Sequence, residues 1–477
     1  MRDCLSAGHR LAVLVRPTKR ASCRQRIETI LARWEEETHS ALPRPVVIEG
    51  ELGDLDLGLD HRSLEWIGHH CTSVIHNAAS LTFQGPDRSG EPWRSNVNGT
   101  QRVLELCRLT GIRNFHYVST AYVAGLRKGR VLEDELDVGQ APGNDYEASK
   151  IEAEQMVKAA AWLDRPTIYR PSIIVGDSQT GWTSTYHGFY ALLKLAHTLV
   201  SRLVLGATAG RQLLAGLSLK GEERKNFVPV DWVSAVFCHI FSSPQHHGRT
   251  YHLVSDDPPT VGLTADVIQE AVETYSQLTD ESDCFRCDGS WFVENFRDQM
   301  DIYRSYWRDD PQFDSTNRQA AAGHIVCPPV DKTLLLNLSR YAIHSQFGKA
   351  RVRPVRLEFD VHEHMLRLAK GSQLLADVRG RHNLGLDVHG PGGGQWKLRL
   401  RDGLLLTAED GLDPSCSAIF RLDAGTFQRM ATRKLTANDA VGSGRVAIEG
   451  NGLAPGQLTA VLQAAAHAPS RSVEPSA

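Results

Sequence analysis

Ser73-Val74-Ile75-His76-Asn77-Ala78-Ala79, a helix-period segment from Trp93 to Leu109, and Asn114-Phe115-His116-Tyr117-Val118-Ser119-Thr120 decide the fold of this chain. The first and last are apolar, β-branched or aromatic runs that turn polar at their carboxyl ends. Between them Val97, Val103, Leu104, Leu106 and Cys107 recur at helical spacing, and the segment closes before Gly111. A strand, a crossover helix and a second strand make a βαβ unit, whose strands run parallel. Working outward, Leu11–Val15, Pro45–Ile48, Thr167–Ile168 and Ile173–Val175 read as further strands, so the α/β alternation extends to about Val254.

Residues 255–345 are richer in charge and aromatics and poor in strand pattern, and they read as helices and connections on the substrate side. After Lys349 the texture changes. Val355–Val361, Leu384–His389, Trp396–Leu400 and Leu404–Ala408 read as strands, with Arg401-Asp402-Gly403 as a hairpin turn. The segment Thr426–Ala431, a strand Arg445–Glu449 and a helix Pro455–Ala466 follow. The expected division is residues 1–345 as one α/β domain, 350–467 as an α+β domain, and 468–477 as a flexible tail.

The chain has 477 residues, 41% hydrophobic and 23% charged, with a net charge of −3. That length calls for two domains, and the balance excludes a wholly disordered chain and a basic nucleic-acid binder. Nine cysteines are too few and odd in number for a disulfide scaffold, which points to a reducing, cytoplasmic setting. Ala191–Gly210, the most apolar long stretch, is broken by Lys194, His197 and Arg202, so no transmembrane helix is expected. Leu11–Val15 is too short for a signal-peptide core.

The chemistry centres on Asn144-Asp145-Tyr146-Glu147-Ala148-Ser149-Lys150. The spacing sets Tyr146 and Lys150 on one helix face, where an ammonium lowers a phenol's pKa toward neutrality and equips it to donate to a carbonyl. A surface Tyr-Lys pair is the structural alternative. Weighing against it are polar motifs at strand ends: Ser119-Thr120, His76-Asn77-Ala78-Ala79, and Asn96-Val97-Asn98-Gly99-Thr100 opening a helix. Open parallel sheets bind their ligands at such ends.

With these motifs, joined by Tyr169-Arg170-Pro171-Ser172-Ile173-Ile174-Val175-Gly176 and Asn226-Phe227-Val228-Pro229-Val230-Asp231-Trp232-Val233, the chain resembles an extended short-chain dehydrogenase/reductase. The branch it is most similar to is the male-sterility, fatty-acyl-reductase and thioester-reductase group, over about residues 5–255. The resemblance implies a Rossmann-type doubly wound parallel sheet and a nicotinamide cofactor. It implies Thr120 as the catalytic hydroxyl with Ser119 as its alternative, Tyr146 as acid/base, Lys150 as the residue that tunes it, and Asn96 as support of the proton relay. Cofactor contacts are implied for Arg16, Glu51, Leu52, His76, Asn77, Ala78, Tyr146, Lys150 and Pro171. Arg16 follows a strand where this family places a cation for the 2′-phosphate, which favours NADPH over NADH.

The family's first strand and G-x-x-G-x-x-G turn have no counterpart in the sequence, which opens at Met1-Arg2-Asp3-Cys4-Leu5. Activity is therefore expected only if that cofactor loop is supplied. Residues 350–467 resemble sterol-carrier-protein-like domains, on Trp396-Lys397-Leu398-Arg399-Leu400, Phe420-Arg421-Leu422-Asp423, Lys434-Leu435-Thr436-Ala437 and Ser443-Gly444-Arg445-Val446-Ala447-Ile448-Glu449-Gly450. The resemblance implies a lipid-holding domain, and a stability or dimerisation module is the alternative.

Together these imply reduction of a lipid-like carbonyl or acyl thioester, carried on coenzyme A or an acyl carrier protein. The alternatives are a hydroxy-sterol or isoprenoid dehydrogenase, and a non-catalytic lipid carrier with a degenerate reductase half. His389-Gly390-Pro391-Gly392-Gly393-Gly394 precedes a strand and reads as a hairpin connection. Cys284-Phe285-Arg286-Cys287 lacks a second pair, and His69-His70 and His246-His247 lack companion carboxylates, so no metal site is expected. The aromatic set Trp182, Tyr186, Phe189 and Tyr190, with Leu192, Leu193 and Leu195, reads either as a substrate channel or as core.

Overall fold

The computed structural model describes residues 1–200, 219–276, 306, 308–349, 355, 357, 359–369, 379–450 and 453–467. Along the chain run α1 (Arg2–Ser6), β1 (Ala12–Val15), α2 (Cys23–Thr38), β2 (Val46–Glu49), α3 (His61–His70), β3 (Ser73–His76), α4 (Gly99–Thr110), β4 (Asn114–Val118), β5 (Arg130–Val131), α5 (Asp145–Ala159), β6 (Thr167–Pro171) and β7 (Ile173–Val175). Then come α6 (Phe189–Val200), β8 (Phe227–Pro229), α7 (Val230–Phe241), β9 (Thr250–Leu253), α8 (Val261–Tyr275), β10 (Gln312–Phe313), α9 (Thr316–Ala322) and α10 (Lys332–His344). The last part holds α11 (Val361–Ala369), β11 (Arg381–His389), β12 (Gly394–Arg401), β13 (Leu404–Asp410), β14 (Ala418–Asp423), α12 (Ala424–Ala431), α13 (Ala437–Gly442), β15 (Val446–Gly450) and α14 (Pro455–Ala466).

The chain divides into two compact units. One comprises Leu52–Leu57 and Cys71–Val352. Its centre is a parallel sheet in the order β3-β4-β6-β9, with the two-stranded parallel pairs β7-β8 and β5-β10. Phe115 and Tyr117 of β4 and Ile168 and Tyr169 of β6 are each at most 1% exposed, as expected of strands covered on both faces by crossover helices. The aromatic set assigned above either to a channel or to core lies mostly in core: Phe189, Tyr190 and Leu193 are buried, and pack with Val267 and Ala271 of α8 and Leu335 and Leu338 of α10. Burial of these large side chains, each contributing on the order of 2 kcal/mol, holds the three helices together.

The other unit comprises Met1–Glu51, Gly58–His70 and the described residues of Arg353–Ala477. It contains the parallel pair β1-β2 and a five-stranded sheet in the order β13-β12-β11-β14-β15, in which β11 and β14 are parallel and the other pairs antiparallel. Alternation sets Leu384, Leu386 and Val388 of β11 and Ala418, Phe420 and Leu422 of β14 on the buried face against Phe427, Met430 and Leu462. The β12-β13 turn has positive φ at Asp402 and Gly403 (48° and 77°), the conformation a two-residue hairpin of right-handed twist requires. Residues 390–393 connect β11 to β12, as the glycine-rich hairpin reading expects.

One expected strand is corrected. None of the described residues of 355–361 is in a strand, and Val361 opens α11. Val355, Leu357, Phe359 and Val361 alternate with period two, but Asp360 takes the amide protons of His362 (2.9 Å) and Glu363 (3.4 Å), and Val361 and Met365, one turn apart, are both buried. Capping and the helical period prevail over the alternation. Residues 468–477 and the Cys284–Cys287 motif lie outside the described residues.

Candidate active site

The site grows from the carboxyl end of β4. Thr120 is extended (φ −148°, ψ 149°) and caps the 3-10 turn Ala121–Ala124, accepting from the Tyr122 amide. Its hydroxyl donates to the Pro171 carbonyl at the end of β6 (3.4 Å) and hydrogen-bonds the Tyr146 phenol. Asn144 caps α5 by accepting from the Glu147 amide at 2.9 Å, so Tyr146 falls in the first turn and Lys150 one turn later on the same face. The Lys150 ammonium donates to the Val118 carbonyl (2.8 Å) and lies 4.3 Å from the Tyr117 ring centre. Thr120, Tyr146 and Lys150 thus converge on the ends of β4 and β6.

Burial governs the charges here. It pushes the Tyr146 phenol up to about 12, against the opposing hydrogen bond from Thr120, and it pulls Lys150 down to about 7, against the Glu154 carboxylate. The expectation that Lys150 draws the phenol toward neutrality is corrected for the unliganded protein. Lys150 spends its hydrogen bond on Val118, and enclosure dominates the phenol.

Asn96 sits in a π-helical turn, Arg94–Asn98, and is 1% exposed. It accepts from the Ser80 amide (2.8 Å) and donates to the Ser80 carbonyl (3.0 Å) and the Ser149 hydroxyl (2.9 Å), which donates on to the Tyr146 carbonyl (2.7 Å). It therefore stitches the loop after β3 to the turn of α5 that carries Tyr146. His76 is buried at the end of β3, bonded through Nε2 to the Thr100 hydroxyl at 2.9 Å; burial, then the Lys150 charge, lowers its pKa to about 3. Asn77 and Ala78 are exposed beyond β3, and Pro171 is buried at the end of β6. Leu52 packs on Gly99, where a Cβ would come within 2.5 Å of its methyl. Within the other unit, Arg16 and Glu51 follow β1 and β2 side by side, 3.5 Å apart as an ion pair.

The structure adds residues the motifs did not identify. Phe83 packs edge-on against Tyr146 (5.7 Å between centres), Tyr306 against Phe83 (5.7 Å), and Tyr122 against Tyr306 (5.2 Å), an aromatic wall beside the phenol. Phe83 lies in an irregular segment, fixed because its carbonyl accepts from Asp145 N and the Asp145 carboxylate accepts from Gly85 N; no periodicity marks it. Asp310 receives the Tyr122 hydroxyl (2.8 Å), the Lys225 ammonium (2.7 Å) and the Asn226 amide (2.9 Å), tying distant segments behind the wall. Beneath α5, Glu154 and Arg170, both fully buried, pair through two hydrogen bonds of 2.6 and 3.1 Å. Among the described residues no three His, Cys, Asp or Glu side chains gather as a metal site, and no helix is long and apolar enough to cross a membrane.

This geometry can be set beside known proteins. Residues 1–237 match the family described as Male sterility protein, and residues 363–462 the SCP-2 sterol transfer family. Aldehyde reductase lnaA of Aspergillus flavus is 30% identical over 289 residues, 57% of this chain and 25% of that protein. Nonribosomal peptide synthetase asaC of the same organism is 25% identical over 255 residues, 51% of this chain and 23% of that protein. The chain thus spans about a quarter of the length of these relatives. Among solved structures, the terminal R domain from the myxalamid PKS-NRPS biosynthetic pathway superposes with a TM-score of 0.53 at 24% identity, covering 72% of this chain and 86% of that one. A thiolation-reductase di-domain from an archaeal non-ribosomal peptide synthetase gives 0.52 at 16% identity, covering 72% and 73%. These two likenesses establish the Rossmann-type fold. Residues 1–237 are thus similar to the Male sterility protein family and residues 363–462 to the SCP-2 sterol transfer family, with a Rossmann-type fold in the first.

Proposed function

We propose that the protein is an NADPH-dependent reductase of a lipid-like carbonyl or acyl thioester, with the substrate carried on coenzyme A or an acyl carrier protein. The observation that carries this reading is the enclosed Thr120–Tyr146 hydrogen bond beside Lys150 at the ends of β4 and β6. A phenol held up at about 12 is fully protonated at neutral pH, the form a proton donor to a carbonyl oxygen needs. Thr120 shares that oxygen's second lone pair and orients it, while the Phe83–Tyr306–Tyr122 wall offers apolar contact to a chain and keeps water off the reacting carbon. The relatives named as an aldehyde reductase and a peptide synthetase support the acyl substrate class. The C-terminal domain, by its family, holds the greasy part of the substrate.

The family implies a nicotinamide dinucleotide, which would supply the hydride when bound, though the glycine turn for its pyrophosphate has no counterpart in this sequence. Arg16 and Glu51, at the carboxyl ends of adjacent parallel strands, have the chemistry to hold its phosphorylated adenosine end, with Leu52 as apolar neighbour. His76, Asn77, Ala78, Pro171, Tyr146 and Lys150 stand at the ends of β3, β4 and β6 and on α5, where open sheets receive cofactors. Decanoyl coenzyme A and decanal, each incubated with NADPH and the full chain, test the reading. Loss of 340 nm absorbance matched by aldehyde or alcohol is the expected result, and no consumption with either substrate overturns it.

Two further outcomes are expected. Arg16→Ala weakens NADPH binding by about 1.5–3 kcal/mol, the range of a hydrogen bond to a charged group, and leaves NADH binding nearly unchanged. Titration calorimetry with both cofactors measures this, and equal losses would take the 2′-phosphate away from Arg16. The second concerns pH. Lys150 loses its proton as pH rises through about 7, and with it goes the cation that favours the phenolate left after Tyr146 donates. On that basis kcat/KM for reduction falls about fivefold between pH 7 and pH 8. Lys150→Arg, always charged, has no such limb. A level profile in the unsubstituted protein separates the Lys150 titration from catalysis.

A further inference from the structure

The segment β1-α2-β2 carries Arg16 and Glu51, and its internal bonds centre on buried Arg44, which donates to Glu28 (3.0 Å) and Glu35 (3.0 Å) of α2. Among the described residues β1 pairs only with β2, and a two-stranded sheet is marginal alone in water. Its own cluster has six buried side chains, Leu5, Val15, Cys23, Ile27, Leu31 and Leu42. Within the same compact unit, however, it is bonded to the C-terminal domain at several separate points. The Arg10 guanidinium donates to the Leu412 carbonyl (2.8 Å), and Arg24 donates to the Gly393 carbonyl (2.9 Å) and lies 3.9 Å from the Asp360 carboxylate. The Thr29 hydroxyl of α2 accepts from the Val355 amide (3.2 Å), and α3, which follows the segment, adds a contact of its own, the Trp66 indole N–H donating to the Asp410 carbonyl (2.7 Å).

The Trp66 contact is shaped as well as bonded. The indole stacks on His70 at 4.5 Å and 11°. At Gly411, which has a φ of +90°, a Cβ would stand 3.1 Å from the indole, so glycine there suits both the backbone and the approach of the ring. All the carbonyls involved belong to loops and strand ends, where backbone acceptors are not used up by the sheet.

We propose that the C-terminal domain is the support on which β1-α2-β2 is held, so that it positions Arg16 for the cofactor. The domain thereby takes part in cofactor binding through this dock, in addition to any lipid it holds. The proposal rests on the reading of Arg16 as a cofactor residue, and the experiment separates the two. Hydrogen exchange is followed by mass spectrometry on the full chain, with NADPH titrated in parallel, for the wild type, for Arg10→Ala/Arg24→Ala/Trp66→Phe, and for Trp66→Phe alone, which removes the N–H with the five-membered half of the indole and keeps one aromatic ring.

In the triple variant the amides of Ala12–Val15 and Val46–Glu49 are expected to exchange at least tenfold faster, with a smaller increase in the single variant. Those of Asn114–Val118 and Thr167–Pro171 keep their rates, and the NADPH Kd rises at least tenfold. Unchanged exchange in β1 and β2 overturns the proposal. So does faster exchange with an unchanged NADPH Kd where Arg16→Ala does weaken NADPH binding. If Arg16→Ala leaves NADPH binding intact, the reading of Arg16 fails, and the exchange result alone decides the dock.

Discussion

Tyr146→Phe lowers kcat for carbonyl reduction by about a thousandfold, within the range a positioned general acid supplies, while the protein stays folded. The phenyl ring keeps its edge-on contact with Phe83, and the Thr120 hydroxyl keeps its bonds to the Pro171 carbonyl and the Tyr122 amide. Only the oxygen proposed to donate the proton is lost. Because no binding group is removed, KM should move little, the pattern of an interaction made in the transition state. Single-turnover assays with saturating NADPH and decanal measure it; turnover within threefold of the parent removes Tyr146 from the chemistry. Thr120 makes a less clean probe, since it also caps the turn after β4, and its replacement shifts structure as well as rate.

Why these residues were legible while their neighbours were not follows from how each is held. Strands β3, β4 and β7 match the expected bounds, because Val74-Ile75, Phe115 with Tyr117-Val118, and Ile173–Val175 are β-branched or aromatic and suit a pleated sheet. Tyr146 and Lys150 are visible for a similar reason: helical spacing alone sets them on one face. Phe83 and Tyr306 share no spacing with Tyr146. They reach it through tertiary packing, Phe83 by the exchange between its carbonyl and the Asp145 amide, and local sequence carries no trace of such a contact.

The misread strand at 355–361 teaches the same point from the other side. Its alternation is real, yet the side chain that decides the conformation is Asp360, a cap whose effect depends on the amides that follow. The sign of a pKa shift is equally hidden from spacing. Lys150 lies at the right interval to assist Tyr146, but its 2.8 Å bond to Val118 and the enclosure of both groups set what each carries before a ligand arrives.

Arg170→Met is the substitution expected to cost the fold most. Glu154 lies one turn beyond Lys150 on α5, and its two oxygens accept from the Arg170 guanidinium on β6 while Lys158 approaches at 3.1 Å. Burial alone would push the Glu154 carboxyl up, but Arg170 overrides it and holds the pKa below its ordinary value. The pair's stabilisation is therefore fully present above the unfolded carboxyl pKa and is lost as pH falls through the depressed one.

Removing the guanidinium leaves a fully buried carboxylate with Lys158 as its remaining cation, at a cost toward the lower end of the about 3–5 kcal/mol of a broken buried pair. It also frees the Glu133 carbonyl and the His252 ring from their contacts with Arg170. Restoring neutrality by Glu154→Leu in the same chain should recover much of the loss, because the desolvation of two charges disappears with them. Thermal unfolding at neutral pH is the measurement: the single variant's midpoint falls by roughly 10 °C and the double variant's by less. A single variant as stable as the parent means that Lys158, rather than Arg170, balances Glu154, and α5 is then anchored to its sheet by packing and by the Lys150–Val118 hydrogen bond.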